Sequence, residues 1–207
     1  MEPTVIQRSP RLWFAGGTLV FRAENTVYRL LPDILAACSP VFQDMFNVPQ
    51  PSMQDSDGYE GLALIYMADK SDELTALFEA IFTPQFFQVF MPRAKATRSL
   101  TKTLAILKLS TKYQIDHLRY QSLRLLHVDY TPVALYEIDL HDVRADWKMA
   151  LQIIPTVRQC NALWLLPSLY YTVREIPLAR GRSSANGSMR HRLCRSTPYS
   201  ARKTETT

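Results

Sequence analysis

Ile34-Leu35-Ala36-Ala37-Cys38-Ser39-Pro40-Val41-Phe42-Gln43-Asp44-Met45-Phe46 decides how the chain is read. Just ahead of it, Pro32-Asp33 suits the start of a short helix through Ala37. Ser39-Pro40 then supplies a hydroxyl N-cap and a proline at the first helical position, which predicts a second short helix to Phe46. Ala36 and Ala37 are small, so the first helix can approach its neighbours closely. Phe42 and Phe46 lie four residues apart and share one apolar face. Packing, not a pocket, is the expected role of this segment.

Upstream, 18–22 (Thr-Leu-Val-Phe-Arg) and 26–30 (Thr-Val-Tyr-Arg-Leu) are rich in β-branched and aromatic residues and flank a break at Glu24-Asn25, which predicts a hairpin. Downstream, the breakers in 47–61 predict a surface loop, and Gly61 to Tyr66 suits a short buried strand. Ser71-Asp72-Glu73 is expected to cap a helix whose Leu74, Leu77, Phe78, Ile81 and Phe82 form one apolar face, ending at Thr83-Pro84. From Leu100 a helix carries apolar residues on two adjoining stripes, which implies burial on more than one side. A further helix is expected over about 115–128. The stretch 133–171 reads as two or three helices broken by Pro155 and Pro167. Beyond Arg174 the apolar pattern stops, and Gly, Ser and Arg predict a disordered extension.

The chain has 207 residues, 47% of them apolar, enough for one or two compact units. Its net charge of +5 is unevenly placed. Residues 174–207 hold 8 Lys/Arg and 2 Asp/Glu, whereas the other 173 residues hold 16 and 17. The body is near neutral, so no body-wide electrostatic case for nucleic-acid binding exists. Three unpaired-looking cysteines (38, 160 and 194) suit a reducing compartment. No secretory leader is expected ahead of Leu12, and the uncharged, largely apolar run Leu12 to Phe21 is about half a membrane span. The expectation is an intracellular protein, in cytoplasm or nucleus, with no membrane contact.

Catalytic and cofactor motifs are missing. There is no P-loop, no G-x-G-x-x-G, no G-x-S-x-G and no C-x2-C or H-x3-H ligand pair. His127-x-Asp129 and His141-Asp142 are the only loose candidates for a metal, and solvated helix-end residues are the plainer reading. Asp72-Glu73 reads as first-turn charge favoured by the helix dipole. The expectation is no enzyme, no cofactor and no metal. Cys38 is expected to be a small buried hydrophobe.

The order of hairpin, two short helices, strand and helices resembles the BTB/POZ domain. The 34–46 segment is similar to that family's L-A-A-x-S-x-x-F signature followed by Met-Phe. Leu109-Ser110-Thr111-Lys112-Tyr113-Gln114-Ile115-Asp116-His117-Leu118 is similar to its L-A-x-K-Y-x-I-x-x-L, and Asp69 to Phe82 to its strand-to-helix segment. Residues 133–171 resemble the helical extension that follows the domain in many fungal, basidiomycete-type members. Two departures stand out: Leu31 and Ala15 occupy positions that in corepressor-recruiting members help line a charged groove. Cullin-recruiting members carry an apolar-x-Glu motif after the helix that ends here at Phe82. This chain has Thr83-Pro84-Gln85 and Phe86-Phe87-Gln88 instead, and Leu77-Phe78-Glu79 only within the helix.

The resemblance implies an α+β fold, a small sheet flanked by helical hairpins. It divides the chain into an N-terminal arm (1–11), the BTB-like domain (12–128), a helical extension (129–173) and a basic tail (174–207). The fold-signature core would be Leu35, Ala36, Ala37, Ser39, Phe42, Met45, Phe46 and Tyr113, and the interaction surface Leu35 and Val41. The implied function is a non-catalytic protein–protein adaptor or regulatory scaffold. Its partners would be other proteins or a weak homodimer, with a cullin-type ubiquitin ligase scaffold unsupported by motif. The alternative is nucleic-acid or chromatin association through the tail.

Overall fold

Two β-rich runs form the hairpin the sequence predicts, β2 (Leu19–Ala23) and β3 (Thr26–Leu30), paired antiparallel from Leu19 opposite Leu30 to Ala23 opposite Thr26. These strands belong to a computed structural model that describes residues 6–48, 58–83, 86, 99–130 and 140–173, with the side chains of 129–130 and 140–147 outside the description. Most of the expected 47–61 loop, most of 85–99, and the whole of 174–207 therefore lie outside the described residues.

Around the hairpin stand β1 (Gln7–Trp13), β4 (Gly58–Tyr59) and β5 (Leu62–Met67), in the order β1-β3-β2-β5-β4. Residues 7–11, expected in an arm, are instead part of the sheet and pair parallel with β3. Pro10 is tolerated because β1 is an edge strand whose register shifts between Arg8 and Trp13. The end of the expected 47–61 loop is also a strand, because Glu60 (φ 53°) and Gly61 (φ 76°) make a left-handed turn that folds β4 back on β5.

One sheet face, with Leu12, Phe21, Ala23, Tyr28 and Leu30, packs against helices. On the other, Val20 and Val27 are fully buried as well. Flat, the outer strands β1 and β4 would stand about 19 Å apart at ordinary strand spacing. The Trp13 and Tyr59 rings nevertheless meet with centroids 5.9 Å apart, so the sheet is strongly curled. Arg8 bridges the closure: its guanidinium lies 4.7 Å from the Trp13 ring centre and 5.9 Å from that of Tyr59, and it pairs with Glu60.

Helices among the described residues include α1 (Pro32–Cys38), α2 (Pro40–Asn47), α3 (Ser71–Phe82), α4 (Leu100–Lys112), α5 (Asp116–Tyr130) and α6 (Leu140–Gln159), followed by a 3-10 turn (Leu163–Leu165) and α7 (166–173). On α3, Leu74, Leu77 and Phe78 are buried and Ile81 and Phe82 half-buried, as the periodicity predicts. Its cap differs from the prediction. Ser71 is the first helical residue, and the Glu24 carboxylate accepts from its N–H (3.1 Å) and hydroxyl (2.7 Å). α3 and α4 are joined by ion pairs in antiparallel register: Glu79–Lys102 (3.1 Å), Glu73–Lys108 (2.7 Å) and Asp69–Lys112 (2.7 Å).

Pro155 does not break the chain as expected but lies inside α6, with its ring exposed. The turn comes at Asn161, which takes a left-handed conformation (φ 53°) at the helix end. Pro167 stands in the first turn of α7, where its missing N–H costs nothing. A second core joins Leu107, Leu123 and Leu126 to Ala150, Ile153, Val157 and Leu169. Ile106 and Leu109, on the same α4, belong to the first core. The predicted two-sided burial of that helix thus links sheet and extension. The architecture is mixed α+β.

Candidate interaction surface

Ser39 organises the α1–α2 hairpin. Its hydroxyl oxygen accepts from the Phe42 N–H (3.1 Å) while its O–H donates to the Tyr113 carbonyl (2.5 Å), tying the hairpin to the end of α4. Inward, Leu35 and Phe42 are fully buried. The Tyr113 ring stacks on Phe42 at 4.6 Å and 10°, and Phe42 also meets Phe21, Phe46 and Phe78. The Tyr113 hydroxyl donates to Asp69, which Lys112 also holds. Burial, then the bond and charge of Asp69, push the Tyr113 phenol well above its ordinary range.

Among the signature residues, Ser39, Phe42, Leu35 and Tyr113 lie in the core, and Ala36, Met45 and Phe46 are half-buried against it. Two assignments are corrected. Leu35, expected on the interaction surface, has no exposure and offers nothing to a partner. Ala37, expected in the core, faces solvent. Both follow from the phase of a seven-residue helix whose Leu35 points at the sheet.

On the hairpin, Ile34 (38% exposed), Ala37 and Val48 (59% exposed) reach solvent, and Val41 is half-buried. Asp33, Pro40, Gln43 and Asp44 are exposed around them. Ile34 and Val48 are the members that sequence reading missed. Ser39-Pro40 interrupts the helical period, so a single wheel cannot phase residues on both sides of it. Cys38 is half-buried on the same hairpin, and burial pushes its thiol up.

Glu79, the acid of Leu77-Phe78-Glu79, is buried and held by Arg11 and Lys102 (each 3.1 Å), so it is not displayed to a partner. His127 rests on the Trp164 ring (5.4 Å), while the side chains of Asp129, His141 and Asp142 lie outside the described residues. Among the described residues no group of three His, Cys, Asp or Glu could hold a metal ion, and no helix is long and apolar enough to cross a membrane. In comparisons with known proteins, no family model and no curated protein matches the chain.

Proposed function

We propose that the chain is a non-catalytic protein-interaction module of the BTB/POZ kind, acting as an adaptor or regulatory scaffold through the outward side of α1–α2. The observation that carries this reading is the hairpin itself. Its inner side is fixed by Phe42, Tyr113 and the two bonds of Ser39, while Ile34 and Val48 stand exposed to solvent. Apolar residues held rigidly in water bind partners at low ordering cost. The order of elements and the 34–46 and 109–118 motifs support the family assignment.

The test is affinity purification with the full chain and with an I34D/V48D variant, with partner amounts quantified by mass spectrometry. A partner that is retained by the full chain and lost from the variant, with an unchanged circular dichroism spectrum, supports the reading. A partner retained equally by both removes this face from the function.

A further inference from the structure

We propose that the α1–α2 face is also the docking site of this chain's own basic segment, residues 180–195, in an intramolecular contact. The inference rests on reading that face as the interaction surface, and it adds that the chain competes with its own partner there.

The charge distribution points to this pairing. From Leu30 to Asp69 the sequence has no Lys, Arg or His, while Asp33, Asp44, Asp55, Asp57, Glu60 and Asp69 are acidic. Glu60 and Asp69 are neutralised by Arg8 and Lys112. Elsewhere, Asp72 and Asp116 sit in first turns, where the helix dipole already favours them. Asp33 is likewise a first-turn acid, of α1, but it and Asp44 are both exposed, and among the described residues neither has an ion pair. Neither α1 nor α2 has a basic residue in its last turn, and Asp44 adds a full negative charge near the negative end of α2. The α1 and α2 elements therefore supply no cation of their own to this surface.

The segment 180–195 matches that need. It holds Arg180, Arg182, Arg190, Arg192 and Arg195 and no acid, with Met189 and Leu193 interleaved as apolar partners for Ile34 and Val48. Reach is sufficient. Extended chain spans up to about 3.5 Å per residue, so Arg195 can stand about 75 Å from the end of α7. A 173-residue body has a radius of gyration of about 16 Å and hence a diameter of about 40 Å. Tethering also gives a local concentration on the order of millimolar, enough for a weak ionic contact to be populated. The contact should weaken with salt, because the pairs are exposed.

The experiment uses the full chain with C38A and a nitroxide on Cys194; Cys160 is buried. Amide signals are then recorded by NMR. The expected result is strong broadening of residues 33–48 at low salt, lost at about 0.5 M salt by screening. It should also be lost in D33K/D44K and regained when R190E, R192E and R195E are added to that variant. Broadening that is absent, that centres elsewhere, or that survives D33K/D44K overturns the proposal. So does broadening seen only between labelled and unlabelled copies, which would mean exchange between molecules. No partner protein enters this measurement, so its failure leaves the affinity-purification test of the face standing, and the reverse also holds.

Discussion

Ser39 and Phe42 show how few side chains set the hairpin. Truncating Phe42 leaves a cavity lined by Phe21, Phe46, Phe78 and Tyr113. F42A should lower stability by about 3–5 kcal/mol, read as a fall in the urea midpoint; a loss under about 1 kcal/mol would contradict this packing. Ser122 behaves in the opposite sense. Its hydroxyl is fully buried on α5 and has no hydrogen-bond partner among the described residues. S122A removes an unsatisfied polar atom, so the variant should be neutral or more stable by up to about 1 kcal/mol. Chemical denaturation checks it, and a clear destabilisation would reveal a hidden partner. At this scale the sequence was legible where chemistry is local: proline after serine foretold the cap, and paired phenylalanines the core. It was not legible for Leu35, Ile34 and Ala37, because one residue of phase on a seven-residue helix exchanges inside for outside.

At the scale of elements, the cap of α3 comes from a turn far away in sequence. Glu24 (φ 50°) at the β2–β3 turn accepts two bonds from Ser71, and these bonds, side-chain first, hold its carboxyl below the ordinary value of 4.5. A folded pKa depressed below the unfolded one adds stability above the unfolded value and loses it as pH falls through the folded value. The stability difference between the native chain and E24Q should therefore be full above about pH 4.5 and shrink on further acidification. Melting curves of the two proteins from pH 7 to pH 3 measure it, and a constant difference would exclude this role. Gly17 is a second such dependence. A Cβ there would stand 2.8 Å from the Leu30 carbonyl oxygen, so G17A should disturb the β3 edge and lower the melting midpoint. The hairpin, α2 and α3 were readable because each is announced by period and punctuation. β1 was not, because Pro10 and a shifted register hide its pairing, and α6 was not, because Pro155 usually ends a helix.

For the molecule as a whole, α4 makes one body of two cores. Leu107 packs with Ile153 and Val157 while its neighbours Ile106 and Leu109 pack under the sheet. Unfolding should accordingly be cooperative. Variants that keep only Trp13, on the sheet, or only Trp164, on the extension, should report the same fluorescence midpoint in urea; midpoints that separate would mean the extension unfolds independently. The curled sheet has a different consequence, for behaviour in a crowded solution. An exposed strand edge is a template on which further chains add, one after another, into fibrils. Here β4 is only two residues long, and β1 is interrupted by Pro10 and bent by its register shift. With Arg8 and Trp13 drawn over to Tyr59 and Glu60, neither rim offers a straight row of open amides to a newcomer. Losing Pro10 and Arg8 together should therefore open the β1 rim to strand addition, and a P10V/R8A variant should form thioflavin-positive fibrils sooner than the native chain.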